Sequence, residues 1–236
     1  MSPFPLGVLA SARVGSSWTP ASLGTLAAWF DASDAATITS SAGLVSQWSD
    51  KSGLARHVTQ ATDIRKPKTG TRTVNGLNVL DFLHDGTNGC FLSRALTFSQ
   101  PSTFAVVSVQ DVSTGTRAVV SAGATAQYAG YDAGSARFVA SAGTMLNSGV
   151  NYTSSPVQIT AIFNGASSAV RVDGTGATGS AGTNGMTTFY IGGRRPDVNV
   201  DYLDGAVAEV VACSSALSGT DLTNLETYLK TKWGTP

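Results

Sequence analysis

The sequence predicts an all-β domain, a sandwich of two antiparallel sheets with an extended N-terminal arm and one short C-terminal helix. Three observations carry that reading. Apolar strand-like runs recur roughly every 8–12 residues with Gly, Asn and Asp at the joins, the spacing of a sandwich or barrel. Strand and helix patterns do not alternate along the chain, which argues against a parallel α/β sheet. The chain has 236 residues, enough for one large β domain to bury a core without staples.

The arm comes first. Residues 1–20 are rich in Pro, Gly and Ser and show no periodicity. Ala10-Ser11-Ala12 mimics a cleavage site, yet no Lys or Arg precedes it and Pro3 and Pro5 interrupt the start, so the segment reads as an arm rather than a signal peptide. Its apolar side chains Phe4, Leu6, Val8 and Leu9 are the candidate anchoring contacts.

The body, residues 21–236, opens with a strand at Leu26–Asp31 and a second at Leu44–Ser49, then a turn at Asp50–Gly53. His57–Gln60 is a short extended piece. Leu77–Leu83 and Cys90–Phe98 follow, separated by the turn Asp85–Gly89. Ser102–Gln110 is dense in Val and Phe. In Val157–Phe163, Gln158 and Thr160 alternate with apolar residues, the pattern of a strand with one wet face. Ala169–Asp173, Thr188–Gly192 and Ala206–Ala212 complete the set. Over Ser218–Trp233 the period changes: Leu222, Leu225, Leu229 and Trp233 share one face of a helix. Ser218 suits the N-cap, Glu226 and Lys230 form an i,i+4 pair, and Gly234 stops the helix.

Composition narrows function. Charged residues make up 13% of the chain, against about 25% in an average soluble domain. Lys plus Arg equals Asp plus Glu, fifteen of each. A neutral chain lacks the positive excess that nucleic acids and anionic membranes attract. No apolar run reaches the length of a membrane-spanning helix. Cys90 and Cys213 each lie in or beside an apolar run and read as buried thiols, with a single disulfide as the alternative.

Candidate chemistry is sparse. The two glutamates, Glu209 and Glu226, lie on a strand and on the helix, whereas glycoside hydrolysis needs two carboxylates flanking the bond. His57 and His84 sit in or beside turns and read as hydrogen-bonded surface residues. Gly174-Thr-Gly-Ala-Thr-Gly179 matches a dinucleotide fingerprint literally, but no helix follows to receive a pyrophosphate, so it reads as a hairpin loop. No catalytic residue and no cofactor is expected. Asp197, Asp201 and Asp204 cluster near a turn; carboxylates suit Ca²⁺, but a structural turn is the preferred reading. Tyr128, Tyr131, Tyr152 and Tyr202 lie in or near Gly-rich stretches and are the candidate sugar-stacking rings, though exposed tyrosines serve protein contacts equally.

Several stretches resemble a known family. They are Leu26-Ala-Ala-Trp-Phe-Asp-Ala-Ser-Asp34, Val45-Ser-Gln-Trp-Ser-Asp-Lys-Ser-Gly53, Asn75-Gly-Leu77 leading to Leu80-Asp-Phe82, Gly205–Val210, and Leu225–Gly234. Over residues 24–234 they are similar to laminin-G-like, concanavalin A-like domains of bacteriophage virion proteins, notably minor tail and fibre proteins. The resemblance implies a jelly-roll sandwich, other virion proteins as partners, self-association into a homo-oligomer, and a place on the particle surface after assembly in the host cytoplasm. Contact with a host-surface glycan is a further implication. It brings no catalytic residues. Capsid decoration as a head fibre, or a free carbohydrate-binding module of a secreted protein, are the alternative roles. The segment Phe82–Gly86 departs from the family's usual Phe-Asp-Gly turn by an insertion.

Overall fold

The structure is a computed structural model, described here for residues 18–84, 87–111, 114–123, 127–193 and 201–236. The described residues form β1 (Leu26–Asp31), β2 (Ile38–Ser41), β3 (Leu44–Trp48), β4 (Val58–Thr59), β5 (Thr73–Val74) and β6 (Leu77–Asn78). Next come β7 (Leu80–Phe82), β8 (Leu92–Phe98), β9 (Ser102–Gln110), β10 (Arg117–Ser121), β11 (Tyr128–Asp132) and β12 (Arg137–Ser141). The last are β13 (Met145–Asn151), β14 (Val157–Phe163), β15 (Ser168–Val172), β16 (Thr175–Gly179), β17 (Met186–Ile191) and β18 (Gly205–Cys213), followed by the helix α1 (Gly219–Trp233).

Two antiparallel sheets face each other. The seven-stranded sheet runs β1-β18-β9-β14-β15-β16, and β7 pairs with the start of β18 where β1 pairs with its end. The nine-stranded sheet runs β13-β12-β11-β10-β17-β8-β4-β3-β2, and β5-β6 is a separate ribbon. Between the sheets lies an aromatic core containing Phe30, Trp48, Phe104, Phe138, Phe163 and Phe189. Phe104 stacks on Phe189 at 5.9 Å between ring centres.

A second apolar layer covers the other face of the seven-stranded sheet. There Trp29, Val107 and Val211 meet Leu225, Leu229 and Trp233 of α1. This layer corrects the expectation of a wet face on β14: Gln158 and Thr160 are buried, and Gln158 Nε2 donates to Thr160 Oγ1 at 3.3 Å. Their cross-strand partners Val107 and Ala105 belong to the helix-covered layer. A strand covered on both sides has no solvent face to signal.

The helix follows its predicted stripe, and Gly234 ends it with φ 67° while donating its N–H to the Lys230 carbonyl. Two local expectations fail. Ser218 occupies the N-cap without a side-chain capping bond. Glu226 pairs with Arg171 of β15, at 2.8 Å, rather than with Lys230. The glycine-rich stretch expected to be a loop is β16. Asp173 and Gly174, with φ of 49° and 82°, make the tight turn from β15. Residues 117–151 hold four strands, β10 to β13, that short Gly- and Ala-rich segments hide from a hydrophobic-periodicity reading.

Candidate functional site

The most concentrated chemistry lies where β1, β18 and α1 meet. A register shift in β18 between Val207 and Glu209 sets it up. Val207 faces the inter-sheet core, and strict alternation would send Glu209 there too. The shift inserts Ala208 as an extra residue, so Glu209 turns toward the helix layer instead.

Glu209 is fully buried, at 0% exposure. Its Oε1 accepts from Trp29 Nε1 at 2.7 Å and from the Tyr228 hydroxyl at 3.0 Å. Its Oε2 accepts from Trp233 Nε1 at 2.7 Å and from Lys232 Nζ at 2.7 Å. Lys232 Nζ also bonds Asp31 Oδ1 at 2.7 Å, and Lys51 Nζ reaches Asp31 Oδ2 at 3.1 Å and Asp34 at 2.7 Å. Lys51 also lies over the Trp29 ring, 4.6 Å from its centre. Asp50 Oδ1 receives the backbone N–H of Trp29, which fixes that strand against the turn.

The electrostatics follow from burial and pairing. Burial lifts the Glu209 carboxyl above its ordinary 4.5, and the Lys232 charge only partly offsets it. Burial also acts on Asp31, but bonds from Lys232 and Ser33 and the charges of Lys232 and Lys51 outweigh it and hold the carboxyl below 3.8. Burial, and then the Glu209 and Asp31 charges, raise the Tyr228 hydroxyl. Each Glu209 oxygen takes two donors, so no lone pair of this carboxylate is left open toward a substrate. The arrangement is suited to holding β1, β18 and α1 together, not to acid–base chemistry on a substrate.

A groove opens beside this cluster. It is lined by Trp18, Asn224, Thr227, Tyr228, Thr231 and Lys232 and encloses about 310 Å³. Trp18 meets Tyr228 edge-on at 5.8 Å between ring centres. Trp18 falls in the arm by sequence, yet it packs on the body, and Pro20 is buried.

The tyrosines expected to stack on sugars do not present their rings. Tyr128, Tyr131 and Tyr202 are 5%, 1% and 0% exposed. Tyr202 packs on Phe91 and His84, and its hydroxyl accepts from Arg65. A Cβ at Gly89 would lie 1.9 Å from Tyr202 Cγ, so the glycine there makes room for the ring. Tyr152 is half-buried, tilted against Tyr131, and donates its hydroxyl to the Gln110 carbonyl. At Tyr202 the neighbouring Gly89 and Gly193 mark close packing of the ring rather than exposure.

Of the calcium candidates, Asp197 lies outside the described residues. Asp201, with φ 61°, takes the Ala118 N–H on its carbonyl, and the Asp204 carbonyl takes the N–H of Asp111. Both backbones are thus tied to distant segments of the chain, and no metal-binding group of three His, Cys, Asp or Glu occurs among the described residues. The arm residues Phe4, Leu6, Val8 and Leu9 also lie outside the described residues. His57 Nδ1 accepts the Asp50 N–H. Cys90 and Cys213 are buried and not joined by a disulfide, and burial pushes the Cys213 thiol up to about 12.

Sequence reasoning placed Glu209 alone in its strand and missed its partners. The signal was present: an acid inside a continuous apolar strand needs several donors to be buried at all, and two tryptophans and a lysine stood in the first strand and the C-terminal helix of the body.

Comparison with known proteins defines the fold. No family model and no curated protein matches the chain. Among solved structures it is similar to Trypanosoma rangeli sialidase in complex with sialic acid, at a TM-score of 0.52 and 15% identity, over 90% of this chain and 34% of that one. It is also similar to domain 4 of AbnA, an extracellular arabinanase from Geobacillus stearothermophilus, in complex with arabinotriose. That match has a TM-score of 0.54 and 12% identity, over 86% of this chain and 98% of that domain. The chain thus spans about a third of the sialidase chain. The shared property is the architecture: this protein is an antiparallel β-sandwich of the jelly-roll type with one C-terminal helix.

Proposed function

We propose that the chain is a non-enzymatic structural protein of a bacteriophage virion. In this reading it is a minor tail or fibre component, held to the particle by its N-terminal arm and presenting its sandwich for adhesion to a host-surface glycan. One observation carries the non-enzymatic part. Residues from the stretches that resemble virion domains, Trp29, Asp31, Lys51, Glu209, Tyr228, Lys232 and Trp233, converge on one closed cluster whose central carboxylate is filled by four donors. What those stretches share is a means of closing the sandwich, which fits a binding body. The solved glycan complexes of similarly folded proteins support adhesion as the body's task.

Deleting residues 2–17 tests the assignment. The variant is expected to keep the wild-type melting temperature and to lose incorporation into particles. Equal incorporation without the arm, or release of sugar from a polysaccharide by the purified protein, would overturn it.

A further inference from the structure

Building on the adhesion reading, we infer that the groove between Trp18 and α1 is a subsite for one or two rings of an uncharged saccharide. Four groove residues, Asn224, Thr227, Tyr228 and Thr231, follow the spacing i, i+3, i+4, i+7 and so share one helix face. This face is distinct from the Leu225, Leu229 and Trp233 stripe that packs on the sheet. The side chains of Asn224, Thr227 and Thr231 make no hydrogen bond among the described residues. They leave an amide and two hydroxyls free beside two aromatic rings. An apolar wall with a few convergent hydrogen-bonding groups is the chemistry of a small-molecule site, and about 310 Å³ falls at the lower end of such sites.

Charge selects the ligand class. Among the described residues, Lys232 is the one charged residue lining the groove. Its ammonium has three protons, and they are engaged by Asp31, by Glu209 and, at 3.3 Å, by the Tyr228 oxygen. An anionic ligand would have to compete with two carboxylates for it. A neutral, hydroxyl-rich ring needs no such exchange: its apolar face packs on the indole and its hydroxyls meet Asn224, Thr227 and Thr231. The platform is also rigid, because Tyr228 is tied to Glu209, which lowers the ordering cost of binding.

The indole N–H resonances of the full-length, ¹⁵N-labelled protein provide the test. Trp29 and Trp233 are bonded to Glu209 and Trp48 is buried, so these three report the fold, while Trp18 reports the groove. Arabinotriose, cellotriose and chitotriose are titrated to about 10 mM, the range in which weak single-site sugar binding saturates. At least one is expected to shift the Trp18 signal saturably while the other three stay put. Trp18→Ala should weaken that binding by about tenfold or more, measured by calorimetry. Thr227→Val, an exposed change that keeps the helix, should weaken it by about threefold or more, roughly one lost hydrogen bond. An unmoved Trp18 signal with all three probes would overturn the inference. If calorimetry detects a sugar whose binding leaves Trp18 and Thr227→Val unaffected, the subsite falls while adhesion stands. If deleting residues 2–17 moves the Trp18 signal before sugar is added, the groove belongs to the arm and the subsite falls as well.

Discussion

The two faces of the seven-stranded sheet handle buried polarity in opposite ways. On the helix side Glu209 has a full set of donors and its neighbours form a chain of ion pairs. On the inner side, strand alternation turns Ser108 and Gln110 of β9 toward the aromatic core. Gln110 is fully buried, and neither atom of its side-chain amide has a hydrogen-bond partner among the described residues. The costlier group is the satisfied one. Indole, phenol and ammonium donors reach Glu209 because β1, β18 and α1 converge there, whereas the inner layer offers mainly hydrocarbon. A buried charge is tolerable where several elements converge and can bring donors, and a buried amide amid rings is a local weakness.

Removing the charge should therefore produce the largest effect. Glu209→Ala leaves two indole N–H groups, a phenol and part of the Lys232 charge unpaired in a buried site. We expect a loss of about 3–5 kcal/mol in urea unfolding. A loss under about 1 kcal/mol would mean that the cluster is solvated and the contrast between the faces is false.

The pH profile sharpens the same contrast. Asp31, held below 3.8, contributes stability above that value and loses it as pH falls through its folded value. Glu209 works in the other direction: the folded state binds its proton more tightly, so stability declines as pH rises from 4.5 through the folded value. Urea unfolding from about pH 3 to about pH 8 should show the decline above pH 4.5 in the wild type and its removal in Glu209→Gln. Parallel profiles for the two proteins in that range would contradict the raised Glu209 value.

On the inner face the sign reverses. Gln110→Leu replaces an amide without a partner by hydrocarbon of similar size. It should raise stability by about 1 kcal/mol, read as a higher urea midpoint at constant slope. A destabilised variant would reveal that the amide is satisfied after all.

How much of this was legible in the sequence depended on whether a residue's neighbours are local. β1, β9 and β14 have the boundaries their apolar runs predict, and α1 follows its leucine stripe. The sandwich itself could be read from spacing alone. The strands β10 to β13 could not, because their apolar runs, such as Ala118-Val119-Val120 and Phe138-Val139-Ala140, are only three residues long and end in Gly- and Ala-rich joins. The site was legible only in part. Glu209 was visible as an odd acid, but its donors come from positions 19 to 180 residues away in sequence, and the register shift that aims it leaves no mark in the residue pattern. The tyrosines misled for a related reason: a glycine beside an aromatic ring can signal room for the ring as well as an open loop.

The smallest expected effect concerns how the helix is fastened at its far side. Sequence spacing paired Glu226 with Lys230 along the helix, while the fold pairs it with Arg171 of β15 through bonds of 2.8 and 3.0 Å. The two pairings make different predictions. Arg171→Ala should cost about 0.5–1 kcal/mol, since the pair is bidentate but partly open to solvent, and Lys230→Ala should cost almost nothing. A double-mutant cycle of Arg171→Ala with Glu226→Gln should recover most of the Arg171 cost as coupling and show salt dependence. Coupling between Lys230 and Glu226 instead would mean that α1 is stabilised along its own surface. Its attachment to the sheet would then rest on the apolar stripe and the Glu209 cluster alone.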